Sequence, residues 1–117
     1  MLEVLVSEGV EHVFGNPGST ELPFIDSLVD HPELHYVLAL QEATAVGVAD
    51  GYAQALGRPA FLNLHTSAGL GNAMGNLVAA YKGHTPLVVM SGQQRRELMI
   101  GEPYLGNRDP TNLPRPG

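Results

Sequence analysis

No cysteine occurs among the 117 residues, which removes disulfides, thiol nucleophiles and thiolate metal sites and fits a reducing compartment, the cytoplasm. Positive charge is also scarce. Six Lys and Arg stand against 12 Asp and Glu, a formal net charge of −6. A nucleic-acid binder or a protein of anionic membranes would carry a basic face, so neither partner is expected. There is no run of eighteen apolar residues, and residues 1–10 hold Glu3 and Glu8 without a basic start. Neither a membrane span nor a signal peptide is therefore expected.

Apolar material is ample: hydrophobic residues make up 44% of the chain and charged ones 15%, a balance that supports a packed core. With 14 Gly and 9 Pro, the chain should have many turns rather than form a helical bundle. Leu2, Val4, Leu5 and Val6 predict a short amphipathic helix closed by Gly9, and residues 12–14 a brief buried strand. Residues 15–18 form a Gly-Asn-Pro-Gly turn cluster. Ser19 or Thr20 should then cap a helix whose apolar face is Leu22, Ile25, Leu28 and Val29, ended by Asp30-His31-Pro32.

The unit repeats without sequence identity. Residues 36–40 predict a strand and 42–56 a helix closed by Gly57, followed by a strand over 60–64, a loop over 65–71, a helix over 72–81 and a strand over 87–90. Ala43, Ala45, Gly47, Ala49 and Ala53 make the 42–56 helix small-sided and suited to close, central packing. Continuous apolar strands alternating with helices predict an α/β fold: a three-layer parallel sheet with helices on both faces. After Ser91-Gly92 the periodicity stops, and four prolines punctuate residues 93–117. The expectation is a truncated α/β domain over 1–92 and an irregular segment over 93–117 that leads to further chain.

In such a sheet, ligands bind beyond the carboxyl ends of the strands. The segments to inspect are 15–19, 41–42, 65–71 and 91–94, where Ser19, Glu42 and His65 are the reactive side chains. Glu42 has two readings. A carboxylate in the first turn of a helix is stabilised by the dipole by roughly 0.3–1 kcal/mol. Alternatively, apolar neighbours Leu38, Ala39, Leu40 and Ala43 could tune it for acid–base work. The glycines at 69, 71 and 75 are spaced GxGxxxG, not GxGxxG, with no acid after the next strand and no Lys-Ser/Thr pair, which argues against nucleotide binding. His31 and His35 have the spacing of a zinc-protease helix, but Pro32 breaks that helix, and no metal site is expected.

Three segments, Phe14-Gly15-Asn16-Pro17-Gly18-Ser19, Leu38-Ala39-Leu40-Gln41-Glu42 and Ala49-Asp50-Gly51-Tyr52-Ala53, resemble the N-terminal pyrimidine-binding domain of thiamine diphosphate-dependent enzymes. Within that superfamily, Asn63-Leu64-His65-Thr66-Ser67-Ala68-Gly69, Gly71-Asn72-Ala73-Met74-Gly75 and Asn112-Leu113-Pro114-Arg115-Pro116 are most similar to the benzoylformate decarboxylases. The resemblance implies decarboxylation of a 2-oxo acid to an aldehyde and carbon dioxide. It further implies that Glu42 hydrogen-bonds the aminopyrimidine ring, Ser19 binds the substrate carboxylate or carbonyl, and His65 transfers protons. Asn16, Gly18 and Leu40 would line the pocket.

The family's Gly-Asp-Gly motif for the diphosphate and Mg2+ does not occur in this sequence. The resemblance thus implies that another domain holds the metal, that the parent is a homo-oligomer (a dimer or tetramer), and that this chain alone is inactive. Two other functions stay open: carboligation as in acetolactate synthase, and a non-catalytic truncated paralogue acting as an interaction module.

Overall fold

The computed structural model describes residues 1–115. Helix α1 (Leu2–Ser7) precedes strand β1 (His12–Asn16), and a 3-10 turn (Ser19–Glu21) leads into α2 (Leu22–Ser27) and β2 (His35–Leu38). Helix α3 (Glu42–Leu56), β3 (Ala60–Leu64), α4 (Thr66–Lys82) and β4 (Leu87–Ser91) follow. All pairings are parallel, in the order β2-β1-β3-β4. The expected α/β sheet is therefore present.

From β1 the chain moves outward one way to β2, whereas from β3 it moves the other way to β4. Because such crossovers are right-handed, α2 belongs to one face and α3 and α4 to the other. Two separate cores match this. Phe14, Leu62 and Leu64 pack with Ala45, Ala49 and Ala53 of α3 and with Leu70 and Ala73 of α4. Val13 and Phe61 pack on the opposite face with Leu2 of α1, Phe24 of α2 and Leu34. Leu62 is fully buried, so its truncation to Ala should cost about 2–5 kcal/mol.

Helix α3 has the expected bounds. The Gln41 side chain accepts a hydrogen bond from the Thr44 N–H at 3.1 Å, and Gly57 closes the helix at φ +65°. Four expectations are corrected. Strand β1 runs two residues further, to Asn16, because both β2 and β3 pair with it. β2 ends at Leu38, since it is an edge strand held only by β1, and Leu40 is left 92% exposed. The helix expected from Ser19 or Thr20 is three pieces, a 3-10 turn, α2 and a second 3-10 turn (Leu28–Asp30), because the Glu21 side chain is drawn inside instead of lying along a continuous helix. Leu22 and Val29, expected in its apolar face, are exposed.

The fourth correction concerns α4, which starts at Thr66, six residues before the expected start. Its Gly69, Gly71 and Gly75 are helical, and of these Gly69 packs closely against α3 while Gly71 and Gly75 face open space. A Cβ on Gly69 would stand 3.1 Å from Glu42 Oε1, so a larger residue there would press on the Glu42 side chain and displace it by a few tenths of an ångström. Beyond β4 the chain makes two further 3-10 turns, Arg96–Gly101 and Pro110–Asn112.

Candidate active site

β1 and β3 are neighbours whose outgoing connections diverge to opposite faces, so the crevice opens where their carboxyl ends meet. Gly18 follows β1 and His65 follows β3. The imidazole lies so close to the Gly18 backbone that a Cβ there would fall 2.3 Å from ring atoms Cε1 and Nδ1. His65 Nδ1 is 2.7 Å from Glu21 Oε2 and 3.3 Å from Thr20 Oγ1. The Gly18 N–H donates to Glu21 Oε2 at 2.8 Å, and the Thr20 hydroxyl donates to Oε1 at 2.6 Å.

Glu21 is 2% exposed. Burial alone would push its carboxyl up, but hydrogen bonds from Thr20, Gly18 and His65, with the attraction of the imidazole, outweigh burial and hold it below the usual carboxylate range. Sequence reasoning missed this residue. One local signal was present: an acid three residues after a turn Gly, the spacing of a helix-start box. Its partner, 44 residues away, leaves no local trace.

A second buried group adjoins it. The Tyr36 hydroxyl donates to Asn63 Oδ1 at 2.9 Å. Burial and the Glu21 charge both push the Tyr36 phenol upward, so it remains a donor. Asn63 Nδ2 is buried without a partner.

The backbone after His65 is strained. Thr66, buried and β-branched, has φ +51°, a conformation costing about 1–3 kcal/mol that persists only where the surroundings enforce it. The Ser91 hydroxyl at the end of β4 does so, donating to the Thr66 carbonyl at 2.8 Å.

Glu42 stands at the other side of the crevice, half-buried, at the first position of α3. Its Oε2 accepts from Asn72 Nδ2 at 3.2 Å. Gly69 faces it from α4, and the Gly69 N–H donates to the His65 carbonyl at 2.7 Å. One helical turn of α4 thus joins Glu42 to His65. The apolar surroundings expected for Glu42 are only partly there: its contacts are an amide and a glycine, and Leu40 is exposed.

Ser19 is exposed beside Gly18. Asn16, half-buried, donates from Nδ2 to the Ala39 carbonyl at 2.9 Å and ties the ends of β1 and β2 together. Gly71 and Gly75 lie inside α4 and make no phosphate loop. His31 follows a 3-10 turn and His35 begins β2, and among the described residues no three His, Cys, Asp or Glu are grouped to hold a metal. A cavity of about 300 Å³ lies at the opposite end of the sheet, against Leu5, His12, Tyr52, Arg58 and Phe61. Its polar groups already pair with one another, Arg58 with Glu11 and the Gly9 carbonyl, His12 with Tyr52, and it touches none of the crevice residues.

Fold and crevice together define an open parallel α/β protein whose ligand site lies at a switch point, with carboxylate and imidazole groups at strand ends. The chain belongs to the thiamine pyrophosphate enzymes: residues 1–104 match the family's N-terminal TPP binding domain. It is 52% identical over 115 residues to benzoylformate decarboxylase of Pseudomonas aeruginosa, covering 97% of this chain and 21% of that protein. A putative acetolactate synthase large subunit of Mycobacterium tuberculosis is 42% identical over 92 residues, 79% of this chain and 18% of that protein. Among solved structures, benzoylformate decarboxylase from Polynucleobacter necessarius superimposes with a TM-score of 0.91 at 48% identity, over 98% of this chain and 21% of that one. The chain spans about a fifth of the length of these relatives.

The residues present fit the pyrimidine end of thiamine diphosphate. Gly69, where a Cβ would crowd Oε1, leaves the Glu42 carboxylate approachable.

Proposed function

We propose that this chain is the pyrimidine-binding part of a thiamine diphosphate-dependent 2-oxo acid decarboxylase acting on benzoylformate or a close aromatic analogue. The observation that carries the reading is the placement of Glu42 beside Gly69, one turn of α4 from His65, at the mouth of the switch-point crevice. When bound, thiamine diphosphate supplies the electron sink that lets carbon dioxide leave. Glu42 offers its carboxylate to a protonated ring nitrogen of the pyrimidine. His65 takes up and returns a proton through its imidazole, whose two ring nitrogens can accept and donate one. Ser19, exposed beside Gly18, binds the carboxylate or carbonyl of the 2-oxo acid, and Asn16, Gly18 and Leu40 line the pocket.

Mg2+ and the diphosphate are held by residues outside this chain. The active enzyme is a homo-oligomer, and the outer faces of α3 and α4 support this. Gly51, Gly71 and Gly75 have open space where a Cβ would stand, while Val48, Val78 and Tyr81 are exposed. Interior helical glycines cost about 0.5–1 kcal/mol each relative to alanine, which is tolerable where another chain packs closely. The enzyme works in the cytoplasm, in keeping with the absence of cysteine. The α/β unit ends near residue 92, and residues 93–117 connect it onward.

The test is the full-length protein with thiamine diphosphate and Mg2+, offered benzoylformate and, separately, pyruvate. Benzaldehyde with stoichiometric carbon dioxide is expected. Acetolactate from pyruvate without benzaldehyde from benzoylformate would replace this reading with carboligation, and neither product would favour a non-catalytic module.

A further inference from the structure

His65 sits in a crevice that leaves its ring little freedom. One face rests on the Gly18 backbone, where even a methyl group would collide with the ring. The following residue is pinned at φ +51° and tied to β4 through Ser91. What decides the chemistry of the ring is the group on Nδ1. Glu21 Oε2 lies 2.7 Å from Nδ1, at the short end of the range for a charge-assisted bond. A proton between the two atoms can belong to either.

The other contacts of Glu21 settle its ownership. Oε2 also accepts the Gly18 N–H, and Oε1 accepts the Thr20 hydroxyl. Two donors besides the imidazole thus converge on one buried carboxylate, an environment that stabilises its ionised form, and an ionised carboxylate only accepts. The hydrogen therefore resides on Nδ1. The Thr20 oxygen, 3.3 Å from Nδ1, is a second and weaker acceptor for it.

We propose that Glu21 is a positioning residue for His65: it accepts the Nδ1–H, fixes the ring plane and the tautomer, and leaves Nε2 as the nitrogen that takes up and returns a proton. The carboxylate also balances the positive charge that the ring acquires when Nε2 is protonated, so the pair is then neutral, and the single negative charge of Glu21 returns when the proton is given back. Carboxylate–imidazole pairs that set a tautomer in this way have large effects on turnover when broken. The inference rests on reading the crevice as a decarboxylase site only for its kinetic consequence. Its structural content stands apart from that reading.

The test uses the full-length protein, loaded with thiamine diphosphate and Mg2+, with histidine labelled by 15N and the His65 signal assigned through His65→Ala. Wild type should show a neutral His65 carrying its hydrogen on Nδ1. Glu21→Ala should lose that single tautomer and lower kcat for benzoylformate about 10–100-fold with KM changed less than about 3-fold. Glu21→Gln, which can still accept the Nδ1–H but carries no charge, should keep the tautomer and lose kcat by a smaller factor; it serves if the alanine variant fails to fold. An Nε2–H tautomer in wild type, an unchanged kcat in either variant, or a loss of kcat in Glu21→Ala with the tautomer intact would overturn the proposal. If the full-length protein decarboxylates no 2-oxo acid, the functional reading fails, while the tautomer in wild type and Glu21→Ala still decides whether Glu21 sets the ring.

Discussion

Glu21 and Glu42 border the same crevice and have opposite circumstances. Glu21 is 2% exposed with three hydrogen-bond donors on its two oxygens, all supplied by this chain. Glu42 is half-buried with one amide donor and a glycine opposite. A carboxylate whose acceptor capacity is used internally orients its neighbours, and one left with spare capacity at a strand end can meet a ligand. Burial alone would point to Glu21, whereas spare acceptor capacity points to Glu42 as the carboxylate open to a ligand.

The comparison is sharpened most by Glu42→Gln in the full-length protein. Benzoylformate turnover should fall about 10²–10⁴-fold, while the thermal midpoint barely moves, because a half-exposed first-turn carboxylate contributes about 0.3–1 kcal/mol to the helix. A collapse of the midpoint would make Glu42 structural and erase the contrast. Next in size is Gly18→Ala, whose Cβ would sit 2.3 Å from the imidazole. Forcing the ring aside should cost about 1–3 kcal/mol by chemical denaturation together with most of the turnover.

A pH effect follows. The Glu21 carboxyl is held below its ordinary value when folded, so the stability it contributes is fully present above the unfolded-state value and is lost as pH falls through the folded one. Wild type should therefore lose stability below about pH 4.3 more steeply than Glu21→Gln, as urea midpoints at successive pH values would show; parallel curves would contradict the account. The smallest effect is Gly57→Ala, at φ +65° and far from both carboxylates. It should cost about 1 kcal/mol of stability with kcat unchanged.

Much of the fold was legible because largely apolar runs such as Ala60–Leu64, interrupted by Asn63, fit a buried strand beside small-sided helices, and Gly57 marks the end of α3. Glu42 and His65 were legible as strand-end residues. Glu21 was not, because its meaning depends on a contact across 44 residues. The start of α4 was misplaced for a related reason: Gly69 reads as a helix breaker locally, and its close contact with Glu42 of α3 is a long-range fact that leaves no local trace. Leu40 likewise reads as strand until the edge position of β2 is known.

The central claim, that Glu42 acts on the pyrimidine of thiamine diphosphate, is tested most directly by the rate at which the C2 proton of the enzyme-bound cofactor exchanges in D2O, read by acid quench and proton NMR. In the full-length protein, Glu42→Gln should slow that exchange by about two orders of magnitude or more, with the cofactor still bound. Exchange at the wild-type rate in a folded, cofactor-loaded Glu42→Gln variant would contradict the account.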